Sequence, residues 1–222
     1  MNAARSLARL RRLGKAFTTG DAAIALGAET SAATQTLKRL SAAGLTRRIR
    51  HGLWTTEMDL DPLCLVEYLT APFPAYVSFQ SALSLRGMVS QIPSVVYVAS
   101  LARTRTLKTA LGTFSVHRLA PRFFGGYETL EPSGVRMATP EKALLDVLYL
   151  GQSKRRLFAH LPEVELPRAF SMRSARRWIA RIPVGPRRVA VERRLQAITT
   201  KRPNRRFLAE PPDRPDGDRR AG

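Results

Sequence analysis

The chain has 222 residues, 44% of them hydrophobic, enough to bury one large core or two modest ones. A formal charge of +20 and an isoelectric point near 11.5 point to a polyanionic partner. No apolar run is long enough to cross a bilayer, and no secretory leader is visible. The single cysteine, Cys64, cannot close an intramolecular disulfide, so a reducing cytoplasm is the expected setting. The charge is unevenly placed: residues 1–55 carry ten Lys/Arg against two Asp/Glu, residues 56–165 eleven against ten, and residues 166–222 sixteen against five. Two basic regions therefore flank a nearly neutral middle, which suggests two contacts with nucleic acid or one contact and an interaction tail.

In chain order, Leu7, Leu10 and Leu13 predict a first helix with an apolar stripe, decorated by Arg5, Arg9, Arg11, Arg12 and Lys15. Thr19 is the expected cap of a short second helix that ends at Gly27, a residue suited to the left-handed conformation. A third helix opens at Thr30 or Ser31 and ends at Gly44. Its apolar positions Ala33, Leu37 and Leu40 place Ser31, Thr34, Gln35 and Lys38 together on the opposite face. Hydroxyl, amide and ammonium groups of this kind can read base edges in a major groove. Two strands then follow, Leu45 to Ile49 and Leu53 to Thr55, folded about His51-Gly52 and crowded by Arg47, Arg48 and Arg50. Guanidinium groups on such a hairpin suit phosphate clamping or a narrow minor groove. Helix, turn, helix and basic hairpin together predict a winged helix-turn-helix over residues 1–58 and double-stranded DNA as partner.

Glu57 to Pro62 reads as a connector, with Asp61 capping and Pro62 opening a new helix. Asp59 and Asp61 form a D-x-D, but no Gly-Ser phosphate loop precedes it, and capping accounts for Asp61. Cys64, among Leu63, Leu65, Val66 and Leu69, is expected as a buried structural thiol. The segment from Tyr76 to Gly87 predicts a helix capped by Ser78. Strands are expected at Ser94 to Ser100, Thr104 to Lys108, Thr113 to Leu119 and Gly134 to Ala138, interrupted by an aromatic loop at Phe123 to Tyr127. Ala138 to Tyr149 opens with a threonine cap, a proline at the first position and Glu141 in the first turn, with Leu144, Leu145, Leu148 and Tyr149 inward. Helices near Ser171 to Ile182 and Pro186 to Ile198 carry Arg173, Arg176, Arg177, Arg181, Arg187, Arg188, Arg193 and Arg194 on polar faces. Residues 199–222, rich in Pro, Arg and Asp, are expected to be a disordered basic tail. The fold class expected is α+β: the N-terminal unit, then a mixed α/β domain over residues 59–198 with a helical C-terminal part.

Catalytic patterns are weak. The histidines, His51, His117 and His160, have no partner at metal or general-base spacing, and His117 reads as a half-buried strand residue. Glu141-Lys142 sits at a helix start, and Glu163-Val164-Glu165 has no nearby lysine, so neither matches a restriction-type nuclease. No enzymatic activity, cofactor or metal is expected.

The segments AAGLTRRIRHGLW (42–54), YVSFQSALSLRGM (76–88), VVYVAS (95–100) and ATPEKALLDVLYL (138–150) occur in this order and at suitable distances. In them the chain resembles the AbiEi-family antitoxins, the transcriptional-regulator half of bacterial type IV toxin-antitoxin and abortive-infection modules. The likeness spans about residues 15–150, and the helical C-terminus matches only in general character. The resemblance implies a protein of the bacterial nucleoid that represses its own operon. It also implies that the protein counteracts a partner nucleotidyltransferase toxin without a lasting complex. Carried over, Ser31, Thr34, Gln35 and Lys38 would face bases, and Arg47, Arg48 and Arg50 would clamp backbone. Arg176, Arg177, Arg187 and Arg188 are added as DNA contacts from their charge. Thr139-Pro140-Glu141-Lys142 falls in the antitoxin domain as a capping motif. The alternative is a stand-alone regulator whose C-terminal domain binds a partner or effector.

Overall fold

The computed structural model describes residues 3–151 and 163–200; His160 and residues 201–222 lie outside them. The fold is mixed α+β, and among the described residues no helix is long and apolar enough to cross a membrane.

The N-terminal unit comprises α1 (Ala3–Arg11), β1 (Phe17–Thr18), α2 (Thr19–Leu26), α3 (Thr30–Ala42), β2 (Arg47–Arg50) and β3 (Leu53–Thr55). Leu10, Phe17, Ala22, Leu26, Ala33, Leu37, Leu40 and Trp54 form its core, and β1 completes a three-stranded sheet in the order β1-β3-β2. A 3-10 turn at Pro62–Leu65, with Asp61 accepting from Leu63 N–H as expected, leads into α4 (Val66–Thr70).

The body follows as β4 (Ala75–Val77), α5 (Phe79–Leu85), β5 (Val95–Ser100), β6 (Arg105–Thr109), β7 (Gly112–Arg118), β8 (Tyr127–Leu130), β9 (Val135–Ala138), α6 (Pro140–Leu150), α7 (Met172–Ile179) and α8 (Pro186–Thr200). Its sheet is six-stranded and mixed, in the order β6-β7-β5-β4-β9-β8, with β4 parallel to β9, β5 parallel to β7 and the other pairs antiparallel. Two strands were not legible in the sequence: Tyr76 and Val77 belong to β4 rather than to a helix, and Tyr127 opens β8 rather than closing a loop.

All three residues of β4 are buried, so both sheet faces are covered. Tyr76 points at α6, where its hydroxyl donates to Asp146 Oδ2 at 3.0 Å. Because side chains alternate along a strand, Ala75 and Val77 point the other way, and Ala75 lies near Lys15 of the N-terminal unit, Leu63 of the 3-10 turn and Val66 of α4. The molecule is thus layered, with the N-terminal unit and α4 on one face of the sheet, α5 and α6 on the other, and α7 and α8 packed outside α6.

The centre of the second layer is ionic. Residues 141–149 of α6 are all buried, far more than the one apolar stripe expected. Lys142 and Asp146, one helical turn apart, form an ion pair with both side chains fully buried. Asp146 also accepts from Ser78 Oγ at 2.6 Å, and Lys142 donates to Tyr76 at 2.9 Å. The ammonium lies 4.1 Å from the ring centroid of Phe123, 5.2 Å from Trp178 and 5.6 Å from Tyr76, inside an aromatic cage. Burial pulls the Lys142 ammonium below its usual range and pushes the Asp146 carboxyl up, while the charge of each partner works in the opposite sense. The Tyr76 phenol is raised by burial first and by the Asp146 charge second.

Three local departures lie around this network. Ser78 stands at the N-cap of α5 but forms no side-chain cap, because its hydroxyl is committed to Asp146. Phe79 follows with φ of 53°, a left-handed geometry that costs about 1–3 kcal/mol and is held by complete burial of the ring. Gly126 faces Trp178 so closely that a Cβ there would lie 2.7 Å from Cζ2 of the indole, and its φ of +74° independently favours glycine.

Lys142→Met is expected to cost about 3–5 kcal/mol in a denaturant titration, because it leaves Asp146 charged and unpaired in the core. Adding Asp146→Asn, which removes the orphaned charge and keeps an acceptor for Ser78, should cost less than the single change. Equal stability of Lys142→Met and the parent chain would contradict this account.

Candidate nucleic-acid interface

The N-terminal unit is built from local signals. Thr18, not Thr19, caps α2: its hydroxyl accepts from Asp21 N–H at 3.1 Å while Asp21 Oδ2 accepts from Thr18 N–H at 2.8 Å, a reciprocal capping box. Thr19 is displaced because its Oγ1 accepts from Trp54 Nε1 at 3.1 Å, fastening α2 to β3. Gly27 ends α2 with φ of 63° as expected. The Arg9 guanidinium donates to the Leu26 carbonyl at 3.3 Å, tying α1 to that end.

Helix α3 buries Ala33, Leu37 and Leu40 and turns Ser31, Gln35 and Lys38 to solvent. Thr34 departs from that set. It is half-buried at the margin, and its hydroxyl donates to the Thr30 carbonyl at 2.8 Å, so the oxygen is left only to accept. Arg39 was missed in the sequence. At about 100° per residue it lies roughly 40° from Gln35 on the exposed arc, with only a long 3.4 Å contact to Thr36 Oγ1. Counting four residues on from Gln35 would have found it.

The three hairpin arginines are not equivalent. Arg47 is half-buried and donates to the Ala110 carbonyl at 3.1 Å, across to the β6–β7 turn. Arg48 is exposed but ordered: Nη2 lies 2.9 Å from His51 Nδ1, and the guanidinium sits 5.8 Å from the Trp54 ring centroid. Arg50 is exposed at the end of β2, beside the irregularity that shifts the register between Arg48 and Arg50. Ile49 points inward and, with Leu53 and Ala16, belongs to the core of the body rather than to that of the N-terminal unit. Ala110 N–H donates to the Ile49 carbonyl at 2.9 Å, so the hairpin is sewn to the larger domain along β2.

The second basic region forms the outermost layer. Arg173, Arg176, Arg177 and Arg193 are exposed on α7 and α8. Arg187 stacks on Tyr149 at 4.9 Å and donates to its hydroxyl at 3.2 Å, and Arg188 pairs with Glu192 at 3.0 Å. These two therefore already have intramolecular partners. Arg181 stacks on Trp178 at 4.0 Å. The sheet and α6 lie between this layer and the N-terminal unit, a separation of roughly 20 Å at the usual layer spacings.

Among the described residues no group of three or more His, Cys, Asp or Glu is gathered as a metal site requires. His117 is more buried than expected and contacts Ser115 Oγ at 2.9 Å and the Phe79 ring edge-on. Comparison with known proteins finds no matching family model and no similar curated protein.

Thr18→Ala should remove the capping box and lower the stability of the N-terminal unit by about 1 kcal/mol. Hydrogen exchange read amide by amide should show this as faster exchange in α2 with β4 to β9 unchanged. Uniform acceleration across the chain would mean that the unit does not open separately.

Proposed function

We propose that the N-terminal unit is a winged helix-turn-helix that binds double-stranded DNA, with α3 in the major groove and the β2–β3 hairpin along the backbone. The observation that carries this reading is the exposed polar arc of α3, Ser31, Gln35, Lys38 and Arg39, backed by buried Ala33, Leu37 and Leu40 and flanked by exposed Arg48 and Arg50. Gln35 offers a bidentate amide for adenine, and Lys38 and Arg39 offer donors for guanine or phosphate. Thr34 plays the smaller part of an acceptor at the groove wall. Arg47 holds the hairpin to the body and positions its neighbours.

The wider role proposed is that of a bacterial autorepressor and antitoxin, working at its own promoter in the cytoplasm and countering a neighbouring nucleotidyltransferase toxin. It rests on the ordered segments that resemble the AbiEi family. No reaction is assigned to the chain, because its best-connected polar cluster, Lys142, Asp146, Tyr76 and Ser78, is sealed and internally satisfied. A stand-alone regulator is the second reading; the neighbouring reading frame separates the two, since an antitoxin should stand beside a chain with a Gly-Ser and D-x-D pair.

In a mobility-shift titration over several salt concentrations, contact with about six phosphates should give a slope of log K against log salt near −5. A flat slope, or no preference for upstream DNA, contradicts the reading. Gln35→Ala, Lys38→Ala or Arg39→Ala should cost about 1–3 kcal/mol mainly on the cognate site, and Arg50→Ala should weaken cognate and random DNA alike. Equal losses on both DNAs for every variant would place recognition elsewhere.

The α7 and α8 arginines are proposed as a second DNA contact that a short duplex on α3 does not reach. Neutralising Arg176, Arg177, Arg187 and Arg188 should therefore weaken binding to a probe of about 40 base pairs and spare one of about 15. Loss of toxin protection with both probes still bound would assign these residues to antitoxicity instead.

A further inference from the structure

Between the N-terminal unit, α4 and the β8–β9 hairpin lies a cavity of about 320 Å³. Its floor is apolar, from Leu63, Val66, Ala75 and Val135, and its polar wall is made by Lys15, Glu67, Arg136 and the half-buried Cys64. Cys64 was expected as a buried structural thiol; instead it is half-buried and lines this space.

The charges do not balance. Arg136 and Glu67 form an ion pair at 2.6 Å and cancel. Lys15 Nζ donates to the Ser133 carbonyl and lies 3.4 Å from Cys64 Sγ, neither of them a carboxylate. No carboxylate stands within ion-pair distance of Lys15 among the described residues. A half-buried ammonium thus lies in a partly apolar cleft with no carboxylate of its own among the described residues, where an anion would gain more than it would in bulk water.

We propose that this cavity binds a small organic monoanion, a carboxylate with an apolar body of about one ring. The carboxylate takes Lys15, and the apolar body lies on Val66 and Val135. One uncompensated positive charge fits one negative charge; a phosphate dianion would leave an excess charge in the cleft. The volume stands at the lower end of the roughly 300–1,000 Å³ usual for small-molecule sites, and the place, a seam between two structural units, is a frequent one.

The site also has leverage. Lys15 belongs to the segment between α1 and β1, its own carbonyl accepts from Thr55 Oγ1 at 2.7 Å, and its ammonium is the link from that segment to Ser133 in the body. A carboxylate that draws the ammonium toward the cavity competes with the Ser133 carbonyl for it and weakens the hold of the body on the N-terminal unit. That consequence for DNA affinity rests on the function proposed above; the binding itself does not.

The test is calorimetric titration of the full chain with benzoate, with its neutral isostere benzamide and with inorganic phosphate. Benzoate should bind saturably at one site, with benzamide and phosphate at least roughly tenfold weaker. Lys15→Gln keeps a donor for Ser133 and removes the charge, so it should weaken benzoate at least about tenfold, whereas Lys15→Arg should retain binding. Methyl resonances of Val66 and Val135 in the parent chain should shift on benzoate addition, a readout independent of either variant's folding. Unsaturable benzoate heats, equal affinity for benzamide, unchanged affinity in Lys15→Gln, or methyl shifts confined to other sites would each overturn the proposal. A parallel titration of upstream DNA with and without saturating benzoate should show a changed DNA affinity. An unchanged value alongside benzoate binding overturns the coupling, and because the benzoate titrations contain no DNA, failure of the DNA-binding reading leaves their outcome separate.

Discussion

The body of this protein is organised around one buried charge pair. Lys142 and Asp146 lie one turn apart on a helix with no exposed side from Glu141 to Tyr149, and each has lost its water entirely. Such a pair is stable only if every remaining lone pair and proton is met, and here the partners come from separate elements: Tyr76 from the central strand, Ser78 from the strand-to-helix turn, and three aromatic faces around the ammonium. Trp178 brings α7 into the same cage and forces glycine at position 126. Glu141, beside Lys142, accepts from Ser171 N–H at 2.6 Å and fixes the start of α7. A short stretch of α6 thereby sets the position of β4, α5 and the arginine-rich layer together.

A second constraint sits on the other side of the sheet. The N-terminal unit has its own small core, yet Ala16, Ile49 and Leu53 are buried with the body, and Arg47 and Lys15 bond to carbonyls of two different hairpins. Those hairpin turns lie at opposite ends of the sheet, because β7 and β9 run in opposite directions, so the unit is held diagonally across the sheet face. The division near residue 58 marks a change of architecture more than a gap in packing. The unit presents α3 outward from a base that cannot turn freely.

The legible parts of the sequence were those whose cause is local. Gly27 and Gly44, the apolar spacing in α3, the Asp61-Pro62 start and the Thr139-Pro140 cap all act within one or two turns and appear where they were expected. What was missed depends on tertiary partners. Tyr76-Val77 joins a strand because β5 and β9 lie on either side of it, Ser78 gives up its cap to Asp146, and Lys142, read only as part of a capping motif, turns inward to the same carboxylate. On α3, periodicity placed Ser31, Gln35 and Lys38 on the exposed face, where they lie. It could not show that Thr34 spends its proton on Thr30, or that Arg47, Arg187 and Arg188 are engaged within the chain.

On the proposed reading, α3 and the β2–β3 hairpin form the surface that meets DNA. Hydrogen exchange of the full chain, with and without its own upstream DNA, tests it most directly. Exchange should slow in α3 and along β2, with α7 and α8 little changed on a short duplex. Specific binding with protection confined to α7 and α8, and α3 unchanged, would contradict it.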